Sequence, residues 1–116
     1  MSLNELTIKE AQAGLRSKKF TAVELTQACL DRIKERNKDI NAFITVCEQQ
    51  ALAAAKEADD FIASPGDNPF LCGIPYAAKD MFLTKGIRTT AASKILDNYI
   101  PPYDSTVISK IKEQKA

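Results

Sequence analysis

A chain of 116 residues, 45% hydrophobic and 27% charged, reads as an ordinary soluble globular segment, one modest domain or a piece of a larger one. A formal net charge of +1 removes the electrostatic case for nucleic acid or an anionic membrane as partner. Histidine is absent, so any acid–base chemistry has to use Lys, Asp, Glu, Tyr or a hydroxyl.

Cys29, Cys47 and Cys72 are too few and too scattered for a disulfide framework or a zinc site and read as small apolar core residues. No apolar run approaches the roughly 18 residues of a membrane span. The N-terminus Met-Ser-Leu-Asn-Glu-Leu lacks the basic-then-apolar plan of a signal peptide, and the expectation is a cytoplasmic location. The local basic cluster of Arg16, Lys18 and Lys19 reads as a solvated loop.

The first 64 residues are predicted to form three helices, because each begins with a capping box: Thr7-Ile-Lys-Glu10, Thr21-Ala-Val-Glu24 and Thr45-Val-Cys-Glu48. In each, a hydroxyl and a carboxylate three residues apart can satisfy orphan amide donors reciprocally. Phe20 before the second box and Leu25 inside it form a hydrophobic staple, and Leu25, Cys29 and Ile33 carry that helix to about Asn37. The third helix, over about 46–63, has a narrow stripe of Leu52, Ala55, Ala58 and Ile62, which implies close packing on a neighbour. Ser64-Pro-Gly-Asp-Asn-Pro69 then ends it with turn formers.

Beyond that boundary the period changes, and residues 74–82 are predicted to form a strand. Alternation would put Pro75, Ala77, Lys79 and Met81 on one face and Tyr76, Ala78, Asp80 and Phe82 on the other. Lys79 and Asp80 then cannot neutralise each other, and a charge among apolar neighbours must find partners elsewhere, reach solvent or lose its ionisation. Lys79 is therefore a candidate general base, whereas Asp80 reads as a structural hydrogen-bond acceptor. Tyr76, Tyr99 and Tyr103 have no spacing that suggests a stacking platform and read as packing residues.

Thr84-Lys-Gly86 is read as a turn, 88–93 receives no assignment, and Pro101-Pro-Tyr-Asp104 as an extended linker ending in a cap. A last helix is expected over about 105–114, with Val107, Ile108 and Ile111 as its apolar side. With no further strand to complete a sheet, the expectation is the front part of a larger α/β domain.

The residues around Lys79 also match a known pattern. Gly73-Ile-Pro-Tyr-Ala-Ala-Lys79-Asp80 resembles the Gly-Ile-Pro-x-x-x-Lys-Asp segment of the amidase signature family. Asn41-Ala-Phe-Ile-Thr45, Thr84-Lys-Gly-Ile-Arg-Thr-Thr90, Ser93-Lys-Ile-Leu96 and Pro102-Tyr-Asp-Ser-Thr-Val107 resemble one branch of it, the ammonia-supplying members of glutamyl-tRNA(Gln) amidotransferase complexes. Ala78 departs from the branched aliphatic residue often found there.

The resemblance implies an α/β fold of which this chain would be the helix-rich N-terminal part, with three N-terminal helices, a central strand, a C-terminal helix and an incomplete sheet. Residues 1–64 would be the helical segment and 70–116 the start of the α/β core, together a single partial domain. Members of the family use a lysine, a serine held through a cis peptide bond and a nucleophilic serine, and Lys79 matches the lysine. Its neutral amine would take a proton through the bridging serine from the nucleophile, which forms an acyl-enzyme with the amide. A shift of such a lysine from about 10.4 to 7–8 corresponds to roughly 4 kcal/mol of differential destabilisation of the ammonium.

Both serines belong to a glycine-rich region with no counterpart here: Ser2, Ser17, Ser64, Ser93, Ser105 and Ser109 all lie outside any glycine-rich elbow. The segment alone is expected to be inactive. The branch further implies glutamine as substrate, the B and C subunits of the amidotransferase as partners, and tRNA engaged only through the complex. ATP and Mg²⁺ would belong to the B subunit, and the small C subunit would bridge the two larger ones. The chain itself has no phosphate-binding glycine loop. A stand-alone amidase of small amides and a non-catalytic, self-associating interaction module remain the alternatives.

Overall fold

A computed structural model describes residues 2–116. A short 3-10 turn, Leu3–Glu5, precedes four helices: α1 (Ile8–Arg16), α2 (Ala22–Ile40), α3 (Glu48–Ala63) and α4 (Thr106–Glu113). The fold is helix-rich, as expected, and no strand forms among the described residues.

Two of the three predicted capping boxes close. The Thr7 N–H donates to Glu10 at 2.8 Å and the Thr7 hydroxyl accepts from the Glu10 N–H at 3.3 Å. Thr21 and Glu24 do the same at 2.8 and 3.1 Å. The third box does not form. α3 begins at Glu48 with Cys47 as a cap that offers no side-chain bond. The Thr45 hydroxyl instead accepts from Nη1 of Arg88 at 3.1 Å, so a tertiary partner has displaced the local one. α2 runs three residues past the expected Asn37, to Ile40, and ends on Asn41 in the left-handed conformation, φ 55°. The Asn37 side chain then binds both the N–H and the carbonyl of Phe43, at 2.8 and 3.0 Å, which fixes the path out of the helix.

The main core lies where α1, α2 and α3 meet residues 72–74: Ala11, Leu15, Ala22, Leu25, Ala55, Ala58, Cys72 and Ile74 are buried together, with Phe20 and Ile62 packed against them. Small residues set the approach. A Cβ on Gly14 would lie 2.2 Å from the Phe20 ring, so only glycine lets the staple residue seat. Asp59 of α3 accepts the N–H groups of Ala22 and Val23 at 2.6 and 3.1 Å, closing the positive end of α2 with a carboxylate. Gly73, at φ +76°, lies 3.1 Å from the Ala22 Cβ as measured from an added Cβ, and its N–H reaches the carbonyl of Lys115 at 2.8 Å. That bond ties the end of the described chain to the helical core.

The predicted strand over 74–82 is the main departure. Ile74 is buried, but Tyr76, Ala77, Ala78 and Lys79 are exposed, and the chain turns at Lys79. An isolated extended segment gains no ladder bonds, and among the described residues nothing runs beside this one. Further on, 83–89 lies loosely against 99–105. Bonds run from Thr89 N–H to Tyr99, Gly86 N–H to Pro101 and Ser105 N–H to Leu83. Helix α4 then docks through buried Ile108; its cap is Ser105 and not the expected Asp104, whose carboxylate instead accepts the Lys85 N–H at 2.7 Å and pairs with Lys112.

Candidate active site

Lys79 sits at the turn of the segment. Its carbonyl accepts the N–H groups of Met81 and Phe82 at 2.7 and 3.1 Å, while its side chain stands in solvent. It takes part in none of the ion pairs found among the described residues. The expected separation of the two adjacent charges therefore holds, although a turn rather than an alternating strand produces it.

Asp80 turns inward. One carboxylate oxygen accepts the Thr90 N–H at 2.8 Å, and the other accepts the Thr90 hydroxyl. The same hydroxyl oxygen accepts the Ala92 N–H at 3.2 Å. Burial pushes the Asp80 carboxyl up, but the Thr90 and Ala92 donors and the nearby Arg88 charge outweigh it, and the group lies below the ordinary carboxylate value. This is the acceptor role expected for Asp80, with a partner ten residues away.

Thr90 opens a four-residue turn closed by the Ser93 N–H on the Thr90 carbonyl at 2.9 Å. Its two central residues, Ala91 and Ala92, have φ of 48° and 57°. Two consecutive left-handed residues are the arrangement that Asn-Gly normally fills, and for alanine each costs on the order of 1 kcal/mol or more.

Arg88 organises the far side. Its guanidinium binds Thr45 at 3.1 Å, Asp97 Oδ1 at 2.6 Å and the Asp97 carbonyl. It thereby links the approach to α3 with the loop after the turn. On sequence grounds Arg88 is no site candidate, and Thr89, Thr90 and Ser93 are at most small hydroxyl residues that could line a substrate tunnel, a pattern too common in turns to assign. The signal there is weak, a lone arginine and a pair of hydroxyls in a segment without periodicity. Thr89 is buried and donates its hydroxyl to Ile87. Tyr76 and Tyr103 are 42% and 58% exposed, so in this chain they do not pack as expected. No group of His, Cys, Asp and Glu among the described residues could hold a metal ion, and no described helix is long and apolar enough to cross a membrane.

Lys79 is thus carried on a turn four residues after Gly73-Ile-Pro75, and its neighbouring aspartate is engaged by the following loop. The amidase family model matches residues 24–116, which include the whole of this site, and the chain belongs to the amidase family. Among its relatives, the A subunit of the glutamyl-tRNA(Gln) amidotransferase of Geobacter metallireducens is 53% identical over 116 residues, all of this chain and 24% of that protein. That of Francisella tularensis subsp. holarctica is 54% identical over 107 residues, 92% of this chain and 22% of that one. A solved, inhibitor-bound structure described as a vestigial protein complex, revealing the evolutionary origins of an s-triazine catabolic enzyme, superposes with a TM-score of 0.90 at 28% identity. It matches 96% of this chain, which covers 24% of that one. The chain thus spans about a quarter of the length of these relatives.

Proposed function

We propose that this chain is the N-terminal part of the glutaminase subunit of a glutamyl-tRNA(Gln) amidotransferase, and that Lys79 is the base of its lysine–serine–serine chemistry. The observation that carries the reading is the state of Lys79. It lies at the matched position, is free of any ion pair among the described residues, and is held on a turn whose other charge is already engaged. A base of this kind must accept a proton relayed from a serine nucleophile, so its amine cannot be committed to a carboxylate.

Neither serine of the relay is in this segment, and the exposed face around Lys79, Tyr76 and Met81 is where the surface bearing them would have to pack. The acyl-enzyme would form there from glutamine, releasing ammonia, and water would complete the cycle. ATP and Mg²⁺ would be handled by the B subunit, with the C subunit bridging the larger two and tRNA bound only through the assembly.

The test is glutamine hydrolysis by the full-length subunit carrying this segment, with and without the B and C subunits. Ammonia release that rises when those partners are added, and transfer to Glu-tRNA(Gln) only in the complete assembly, are the expected results. Equal turnover of small amides with no dependence on partners would identify a stand-alone amidase instead.

A further inference from the structure

We propose that Asp80 is a positioning residue for Lys79: by clamping the left-handed turn over 90–93, its carboxylate fixes the direction in which the neighbouring amine leaves the chain. The inference rests on the reading of Lys79 as the base and adds a residue to it.

Ala91 and Ala92, at φ 48° and 57°, occupy a conformation that alanine does not hold unaided. The turn's own closure is one bond, Ser93 N–H to the Thr90 carbonyl at 2.9 Å. What holds the pair from outside is Asp80. It receives the Thr90 N–H at 2.8 Å and the Thr90 hydroxyl, and that hydroxyl in turn receives the Ala92 N–H at 3.2 Å. A strained segment persists only where its surroundings over-determine it, and here the surroundings are one carboxylate and one threonine.

The clamp works in both directions. Lys79 and Asp80 share a peptide plane, so fixing Asp80 against a second segment fixes the backbone from which Lys79 projects. The Lys79 carbonyl is held as well, by Met81 and Phe82 at 2.7 and 3.1 Å. The carboxylate nearest in sequence to the amine is thereby occupied by other donors. Without the clamp, Asp80 would be released toward the adjacent ammonium, and the amine would lose both its direction and its freedom.

The test measures glutamine hydrolysis in the full-length subunit carrying this segment. Asp80→Ala is expected to lower kcat about 10-fold or more while KM changes by less than about threefold, because the residue acts on the base and not on substrate. Asp80→Asn, whose side-chain carbonyl can still accept the Thr90 N–H, should retain more of kcat than Asp80→Ala. A residue that merely stabilised the fold would lower the melting temperature in step with kcat. Should Asp80→Ala not fold, Thr90→Val carries the same test, with a loss of kcat at near-constant KM.

A kcat within about twofold of wild type in Asp80→Ala, with Lys79→Ala inactive, overturns the positioning role and leaves Lys79 as the base. A kcat for Asp80→Asn no higher than that of Asp80→Ala, in protein that melts at the wild-type temperature, overturns the clamp. Activity surviving Lys79→Ala removes the base itself, and the positioning role falls with it.

Discussion

The carboxylate of Asp59 on α3 accepts the N–H of Ala22 at 2.6 Å, so the first turn of α2 is closed by a side chain 37 residues away. Helices α2 and α3 are thus joined at one end by a charge on a helix dipole and along their length by small residues such as Ala55 and Ala58.

Removing that charge should loosen the pair. Asp59→Ala is expected to lower unfolding free energy by about 1–2 kcal/mol, the usual range for a lost cap, and Asp59→Asn by less because its carbonyl can still accept one N–H. Urea titration followed by circular dichroism checks this, and an unchanged midpoint for Asp59→Ala would contradict it.

Gly14 presents a steric case. An added Cβ would stand 2.2 Å from Cε1 and 2.3 Å from Cζ of Phe20, in a ring wedged against the core. Gly14→Ala should therefore destabilise by about 1–3 kcal/mol despite alanine's better helix propensity. Adding Phe20→Leu should then cost less than the sum of the two single changes. A stabilised Gly14→Ala variant would show that Phe20 is free to swing away.

Much of the helical half was legible in the sequence because its signals are local. Thr7 with Glu10 and Thr21 with Glu24 cap as read, and the cap of α4 falls on Ser105, one residue past the expected Asp104. Thr45 with Glu48 carries the same pattern and fails, since the Arg88 guanidinium takes the hydroxyl from 43 residues away. Residues 74–82 alternate and are apolar, yet no strand forms, because a strand needs a neighbour and the pattern cannot supply one. Lys79 stands out in the sequence through its family pattern and its place in an apolar run, but its side chain is in solvent, so the expected cost of a charge among apolar neighbours does not arise among the described residues. Thr90 and the left-handed Ala91–Ala92 pair were not, because positive φ at alanine contradicts every local preference.

Arg88 offers a test of the long-range tie. Its planar fork serves Thr45 and Asp97 at once, which a single ammonium cannot do. Arg88→Lys should leave the helices intact but speed amide exchange at Phe43 and around Asp97. The expected global loss is about 0.5–1.5 kcal/mol, kept small because the guanidinium is partly solvated. Unchanged exchange at Phe43 would mean that Asn37 alone holds that loop.

Acid sensitivity follows from Asp104. The Lys112 ammonium, 2.8 Å away, and then the Lys85 N–H at 2.7 Å hold its carboxyl below the ordinary 3.8. A folded-state value below the unfolded one adds stability that is fully present above about 3.8 and disappears as pH falls through the folded value. Asp80 and Glu10 are lowered in the same sense and add to the effect. Thermal melts between pH 5 and pH 2.5 should fall steeply below about pH 4, and Asp104→Asn should flatten part of that slope. An identical slope in Asp104→Asn would place the titrating groups elsewhere.

Whether Lys79 is a base is tested most directly by glutaminase activity in the full-length subunit carrying this segment, comparing wild type with Lys79→Ala and Lys79→Arg. Activity abolished in both variants, with circular dichroism and melting unchanged, is the predicted result, because neither methyl nor guanidinium can accept a proton near neutral pH. Activity retained in Lys79→Ala would contradict the assignment and leave Lys79 a solvent-exposed residue on a structural turn.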